Sequence, residues 1–376
     1  MGNKIRILHV AQAAGGVDRY LKMLLKYLDH DRFENILIHS QDYKVAEYMN
    51  LITDSEQIRM ERSVGTKDLS AIRQIRAFIK KYNPDIIYAH SSKAGALCRV
   101  ANLGLSPLVV YNPHGWAFNM ECSPMQKRMY HWIEKGAAHF CQKIVCISEN
   151  EKETALACKI CQPDKLKVIY NGVDVQAYDE SRKHVLSRSD LNIGKDAVVI
   201  GMVGRLSPQK APDDFIRVAR KVKEKIHNAF FMIVGSGEME NDIIKQAKRY
   251  GLEKDILITG WVDNPLDYIE LFNIAVLLSR WEGFGLALTE YMLAGKPVVA
   301  TAVDAIPDIV QNGQNGILVQ PGQIQEVADA IEKLHRNPDL CARLAARGEQ
   351  DVRRRFDARR VAREHTDLFE EMIRNR

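Results

Sequence analysis

Apolar runs of strand length alternate with amphipathic, helix-length segments along nearly the whole chain, and the alternation starts twice. In the first half, 5–10, 35–40, 85–89, 108–112, 143–147 and 166–170 read as strands, with helices over about 17–29, 68–82 and 125–140. An interruption runs from Tyr170-Asn171-Gly172-Val173-Asp174 through a polar stretch to Lys195. Strands at 197–203, 229–234, 256–259, 274–278 and 297–300 then alternate with helices at 212–226, 238–250, 287–294 and 324–336. Parallel strands need a crossover to return the chain to the same end of the sheet, and a helix is the usual one. Two such series predict two Rossmann-like α/β domains: 1–172, a linker over 173–195, and 196–355. The stretch 356–376 carries Val361, Leu368, Phe369 and Ile373 at helical spacing and predicts a last helix.

Composition agrees with two domains. A chain of 376 residues is long for one, and 46% hydrophobic with 27% charged residues is enough for two cores. No apolar run approaches the ~18 residues of a membrane-spanning helix. Met1–Lys4 passes straight into the first strand without the apolar core and cleavage site of a signal peptide, so a cytoplasmic protein is expected. Seven scattered cysteines form no disulfide framework. Cys158-Lys159-Ile160-Cys161 is a CxxC without a second pair, so packed thiols are a better reading than zinc. The net charge of +5 is modest, and no nucleic-acid partner is expected.

Two loops carry chemistry. Glu282-Gly283-Phe284-Gly285-Leu286-Ala287-Leu288-Thr289-Glu290 follows a strand and enters a helix. Glycines there let backbone amides face an anion, and the helix dipole adds partial positive charge. Glu282 and Glu290 suit neutral hydroxyls, and the amides of Gly283, Phe284 and Gly285 suit phosphate. The second loop, Val203-Gly204-Arg205-Leu206-Ser207-Pro208-Gln209-Lys210, offers Arg205 and Lys210 to a diphosphate leaving group. Either alone also reads as an ordinary turn or basic surface loop. Both follow strands of one parallel sheet, so both open at its carboxyl edge, where such sheets bind ligands. Together they point to a nucleotide diphosphate.

The block Trp281–Thr301, with Glu282, Glu290 and Ala294-Gly295-Lys296-Pro297-Val298-Val299-Ala300-Thr301, resembles the E-x7-E signature of glycosyltransferase family 4. The resemblance extends to Gly15-Gly16-Val17, Pro113-His114-Gly115, Ile169-Tyr170-Asn171-Gly172-Val173-Asp174, Gly235-Ser236-Gly237-Glu238, Asn315-Gly316-Ile317-Leu318-Val319 and Pro321-Gly322. His90-Ser91-Ser92-Lys93-Ala94-Gly95 with Pro113-His114-Gly115-Trp116 is similar to enzymes building bacterial capsules and exopolysaccharides. It departs at Asp304-Ala305-Ile306-Pro307-Asp308, where members usually carry Gly-Gly-x-x-Glu, and at Asp18, where Glu is commoner.

The resemblance implies a GT-B fold, two Rossmann-like domains with parallel sheets facing a central cleft and a C-terminal helix crossing back to the N-terminal domain. It implies a retaining transfer, by same-face attack, from a nucleotide-diphosphate sugar, UDP being the commonest nucleotide, to a saccharide or lipid-linked saccharide acceptor. Catalytic roles fall on His114, Arg205, Lys210 and Glu282. Donor contacts fall on Gly16, Arg205, Lys210, Val262, Glu282, Gly283, Phe284, Gly285 and Glu290, with the base near Gly260-Trp261-Val262. His114 reads equally as a packed or capping histidine. No metal or other cofactor is expected: the only Asp-x-Asp, Asp29-His30-Asp31, reads as a helix end.

A nicotinamide-dependent dehydrogenase would need a third glycine after Gly15-Gly16 and an acidic residue closing the second strand, and neither is present. A GT-B sugar-nucleotide epimerase and a non-catalytic partner subunit remain as alternatives. Finally, helix 68–82 places Leu69, Ile72, Ile75, Ile79 and Tyr82 along one side and Arg73, Arg76, Lys80 and Lys81 along another, with Arg59, Arg62 and Lys67 upstream. That face reads either as a solvated basic surface or as a contact with an anionic membrane.

Overall fold

The computed structural model describes residues 4–12, 15–61, 65, 67–120, 122–181 and 186–376. It divides into two compact units, Met1–Gly172 with Ala358–Arg376, and Val173–Asp357.

The N-terminal unit is built on seven strands: β1 (Ile5–Ala11), β2 (Phe33–His39), β3 (Asp54–Gln57), β4 (Ile86–His90), β5 (Leu108–Asn112), β6 (Lys143–Cys146) and β7 (Leu166–Val168). Their order is β3-β2-β1-β4-β5-β6-β7, and neighbours pair in parallel. The second unit has β8 (Val198–Val203), β9 (Ala229–Val234), β10 (Ile256–Ile258), β11 (Ile274–Leu277), β12 (Val298–Thr301) and β13 (Ile317–Val319) in the order β10-β9-β8-β11-β12-β13, again parallel. The central strands are buried on both faces, which is why they read as continuous apolar runs rather than alternating ones. In each sheet the strand order reverses once, between β1 and β4 and between β8 and β11. At such a switch point adjacent loops leave in opposite directions and open a crevice at the carboxyl edge.

The last helix, Ala358–Arg374, belongs to the N-terminal unit. Val361, Leu368, Phe369 and Met372 are buried in its core, and the Phe369 ring lies edge-on to Phe33 and Tyr88 at centroid distances of 6.0 and 5.7 Å. The stretch read as a linker, 173–195, is instead part of the second unit. It carries helix Val175–Ser181, with Tyr178 buried and its hydroxyl donating to Glu270 at 2.6 Å. Arg353 grips Asp179 through both terminal nitrogens, at 3.0 and 2.9 Å. Two buried side chains, Val175 and Tyr178, and one bidentate pair suffice to dock a short polar helix, and they leave no periodic signature.

Other elements escape apolar periodicity for related reasons. β3 reads Asp-Ser-Glu-Gln and is an edge strand held by backbone bonds to β2. Helix Pro338–Arg355 buries only Leu344, Ala345, Gly348, Asp351 and Val352 of its 18 residues. In helix Lys67–Tyr82 the buried line is Ala71, Ile75 and Ile79, and Leu69, expected on the packed side, is exposed in the first turn.

Candidate functional site

In the second unit the loop after β8 rests against the loop after β9 with no room for side chains. A Cβ on Gly235 (φ +138°) would stand 2.2 Å from the Gly204 carbonyl oxygen, and one on Gly237 2.4 Å from that of Leu206. Leu206 N donates to Ser236 O and Met239 N to Leu206 O, both at 3.0 Å. Glycine is required here because backbone meets backbone. The same loop is stitched to the one after β11. Arg280 N donates to Gln209 O at 2.8 Å, Gln209 Nε2 to Trp281 O at 3.1 Å, and the Arg280 guanidinium to Pro208 O at 2.7 Å and Asp213 Oδ2 at 2.8 Å.

These ties bring Lys210 and Glu282 together as a salt bridge, with side chains only 17% and 9% exposed. The carboxylate also accepts from Ser279 Oγ at 3.0 Å. Glu282 N donates to Asp304 Oδ2 at 2.7 Å, and Asp304 adopts a left-handed φ of 42°. Burial pushes the Asp304 carboxyl up, opposed by that N–H bond and assisted by the neighbouring Glu282 charge. The family-departing segment thus holds the backbone of the motif's first glutamate, which sequence reasoning left unassigned. Asp304 needs no glycine because Asp is one of the few residues that tolerates the left-handed region, and its side chain is anchored there on Glu282 N.

The remaining residues of this unit spread around that centre. Gly285 (φ +95°) precedes helix Leu286–Leu293, and a Cβ there would meet Ile306 Cδ1 at 2.8 Å. Glu290 is buried one turn into that helix, beside Tyr291, whose hydroxyl accepts from Val203 N at 2.5 Å. The Phe284 ring is packed edge-on against Phe356 at 5.5 Å, so it offers a ligand its backbone only. Arg205 stands apart from Lys210: it is 66% exposed and paired with Glu238 at 3.0 Å. Val262 is partly buried, following Gly260, which bridges Gly235, and an exposed Trp261.

The N-terminal unit arranges quite different groups at its own switch point. Gly15 (φ +111°) and Gly16 are exposed after β1, and Gly16 opens helix Gly16–Tyr27. Asp18 serves structure, accepting from Tyr48 at 2.8 Å and Lys22 at 2.7 Å. His114 lies just past β5 in the left-handed region at φ 52°, a conformation that needs outside support in a non-glycine residue. Its N–H donates to Asn112 Oδ1 at 3.0 Å, and the next residue is clamped by Glu151, which accepts from Gly115 N at 2.7 Å and Ile147 N at 2.6 Å.

The His114 ring ends a chain of rings. Its Nε2 is 3.2 Å from His90 Nδ1, His90 Nε2 is 3.3 Å from His9 Nδ1, and His9 Nε2 is 3.1 Å from Asn35 Oδ1. Burial lowers His9 to about 4 and His114 to about 3, and drives His90 well below the ordinary range, with neighbouring histidines adding to the last two. All three are neutral at neutral pH, so each ring has one donor and one acceptor nitrogen. With the Asn35 oxygen facing His9, protonation runs in one direction: His9, His90 and His114 each carry hydrogen on Nε2. His114 Nδ1 is then an acceptor. Next to it, His365 donates from Nδ1 to Val361 O at 2.8 Å and faces the Tyr20 and Tyr88 hydroxyls with Nε2 at 2.8 and 2.9 Å.

Two family models match the chain: "Glycosyl transferases group 1" over residues 186–351 and "Glycosyltransferase Family 4" over residues 14–177. An Escherichia coli relative, UDP-Gal:alpha-D-GlcNAc-diphosphoundecaprenol alpha-1,3-galactosyltransferase, is 30% identical over 344 residues, covering 88% of each chain. This chain belongs to glycosyltransferase family 4. A capsular polysaccharide biosynthesis glycosyltransferase, CapM of Staphylococcus aureus, is 22% identical and covers 98% of each chain. Among solved structures, Anabaena HepE in complex with UDP and glucose superposes with a TM-score of 0.83 at 22% identity, covering 98% of this chain and all of its own. The fold of this family 4 glycosyltransferase is GT-B, two Rossmann-like parallel-sheet units.

Outside these two centres, the CxxC thiols Cys158 and Cys161 are free and partly buried, and among the described residues no three His, Cys, Asp or Glu side chains gather as metal ligands would. Among the described residues no helix is long and apolar enough to cross a membrane. On helix Lys67–Tyr82 two of the four cations singled out are engaged internally. Arg76 donates to the Ala101 and Leu103 carbonyls, both at 2.8 Å, and Lys81 pairs with Glu56 at 2.7 Å. Arg73 and Lys80 are exposed. Arg62 lies outside the described residues.

Proposed function

We propose that this glycosyltransferase moves a hexosyl or N-acetylhexosaminyl group from a UDP-sugar to a saccharide carried on a lipid diphosphate, with retention, at the cytoplasmic face of the membrane during capsule or exopolysaccharide assembly. The observation that carries this reading is the largely buried Lys210–Glu282 pair at the β8/β11 switch point, ahead of a helix N-terminus. The relatives supply its chemical range: the E. coli enzyme's name gives a UDP-sugar donor and a diphosphoundecaprenol acceptor, and HepE is held with UDP and glucose.

A buried ion pair is a poor stabiliser on balance, but it keeps both groups oriented and ready to change partners. On donor binding Lys210 turns its charge to the diphosphate, and Glu282 is released to accept from sugar hydroxyls. Arg205, held only by an exposed pair to Glu238, swings to the same phosphates at little cost. Glu290 receives the ribose and Val262 the base. In the N-terminal unit, Gly16 is assigned to phosphate and neutral His114 to the transferred sugar, as a hydrogen-bonding group rather than an acid. As the bond from the anomeric carbon to the diphosphate breaks, charge grows on the leaving oxygen, and Lys210, Arg205 and the amides of 283–285 stabilise it. The acceptor hydroxyl attacks from the face being vacated and passes its proton to a leaving phosphate oxygen. No divalent cation enters this scheme.

Proton NMR of the product, run with and without EDTA, tests it. An α-linked donor should give an α-linked product at an undiminished rate in chelator. A β-linkage removes the same-face scheme, and loss of rate in EDTA removes the metal-independent one. Free sugar or an epimer formed without acceptor would indicate an epimerase instead.

A further inference from the structure

Helix Pro124–Ala137 of the N-terminal unit is amphipathic the wrong way round. Its only buried residue is a charged one, Glu134, which accepts from Tyr111 Oη at 2.7 Å and from Arg99 at 3.2 Å. Its bulkiest apolar side chains face out: Met125 is 80% exposed, Trp132 62% and Met129 41%. At about 100° per residue these three fall, with Gly136, within an arc of about 60°, diametrically opposite Glu134. Met120 before the helix and Phe140 after it are exposed as well. The helix is firmly made, with Pro124 in the first turn and a capping box between Ser123 and Gln126, so this face is displayed by a rigid element.

Charge decides what such a face meets. Lys127 and Arg128 are exposed, Lys135 is partly so with its ammonium 5.6 Å from the Trp132 ring centre, and the helix's one acid is the buried Glu134. Arg128 and Lys135 border the apolar line on one side. An apolar line of Met and Trp flanked by cations, with no acid to repel phosphate, has the composition of a helix lying in the plane of a bilayer surface. A protein partner burying the same line would gain nothing from the unopposed cations unless it were acidic. Helix Lys67–Tyr82, by contrast, has engaged three of its five cations, Lys67 with Glu61, Arg76 with backbone carbonyls and Lys81 with Glu56, and offers Leu69 alone as an exposed large apolar side chain.

We infer that helix Pro124–Ala137 is the surface by which this enzyme rests on anionic phospholipid, Met125, Met129 and Trp132 entering the headgroup boundary and Arg128 and Lys135, beside them, meeting phosphates. The inference deepens the lipid-linked acceptor reading and draws its purpose from it, since a transferase serving such an acceptor works at the bilayer.

The test is co-sedimentation of the full chain with phosphatidylcholine vesicles, with and without 30% phosphatidylglycerol, at about 0.1 M salt, where screening acts over about 10 Å. Wild type should favour the anionic vesicles, and Trp132 fluorescence should shift to the blue on binding. Met125→Ser with Met129→Ser and Trp132→Ser should lower partitioning at least tenfold. Arg128→Gln with Lys135→Gln should abolish the preference for the anionic lipid. These five side chains lie on the outward side of the helix, so UDP affinity should be unchanged in both variants. Partitioning equal to wild type in both overturns the inference, as does release by Arg73→Gln with Lys80→Gln alone. A dimer that the serine variant dissolves, without vesicle binding, assigns the line to a second copy and also overturns it. Transfer to a detergent-dispersed lipid-diphosphate saccharide is scored separately. Vesicle binding without such transfer defeats the acceptor reading only, and transfer without vesicle binding defeats this inference only.

Discussion

The two units share a sheet topology around the switch point and furnish it in opposite ways. In the second unit the carboxyl edge carries formal charges on short loops, Lys210, Glu282, Asp304 and, further out, Arg205. In the N-terminal unit the same edge carries neutral rings, the buried His9, His90, Tyr20, Tyr88 and, from the last helix, His365, with a partly buried His114 at the end of the relay. The difference teaches what each edge is suited for. Fixed charges near solvent answer a diphosphate, whereas a desolvated relay of neutral imidazoles holds one ring in one tautomer and orientation, which suits recognition of uncharged hydroxyls.

The comparison is broken most violently by removing 358–376. Val361, Leu368, Phe369 and Met372 are buried there, and at about 1.5–3 kcal/mol each their loss amounts to about 6–12 kcal/mol, comparable to the whole stability of a domain. Calorimetry of the truncated chain should show the N-terminal unit unfolded and the second unit melting as before. Two intact transitions would mean that the helix is dispensable.

Acid should separate the units next. His9 and His365 at about 4, and His114 at about 3, lie below the 6.5 of a free histidine, and His90 lies well below it too. The unfolded chain therefore binds more protons between pH 6.5 and 4, so this stabilisation is complete above pH 6.5 and is lost as pH falls through that window. Each histidine contributes a slope of about 1.4 kcal/mol per pH unit. Glu151, pushed up to about 7 by burial against its N–H bonds, has the opposite sign, one group against four. In the second unit the described histidines, His227 and His335, are exposed. Hydrogen exchange at pH 5 should accelerate in N-terminal peptides first. Equal acceleration in both units would contradict the assignment.

The contrast also explains what the sequence disclosed. The charged loops are two short segments, 204–210 and 279–290, and each follows an apolar run that announces a strand, so their shared place at one carboxyl edge could be read from strand order, and the structure pairs Lys210 with Glu282 there. The histidine relay joins positions 9, 90 and 114. His90 and His114 sit in recognisable segments, but no spacing in the sequence links them, and His9 looks like a core residue because it is one. The sheet strands were legible wherever both faces are buried. The polar edge strand Asp54–Gln57 and the helix Val175–Ser181, docked by Tyr178 and Arg353, were not, since backbone pairing and single anchors leave no period. Asp304 was visible only as a departure, and its bond to Glu282 N supplies the reason.

Within the charged site the smallest effect should fall on Arg205. Its pair with Glu238 is exposed and screened by solvent, so Arg205→Ala should lower turnover less than Lys210→Ala while leaving the melting temperature unchanged. Turnover equal in the two variants would place the exposed and the largely buried cation on the same footing.

The division of labour is tested most directly by titrating UDP and a UDP-sugar, by calorimetry, into wild type, Lys210→Ala and His114→Ala. Lys210→Ala should weaken UDP and UDP-sugar alike by about 1.5–3 kcal/mol, the range for a charged hydrogen bond. His114→Ala should leave UDP affinity as in wild type and lower turnover of the sugar donor. UDP affinity that survives Lys210→Ala, or that disappears with His114→Ala, would contradict the account.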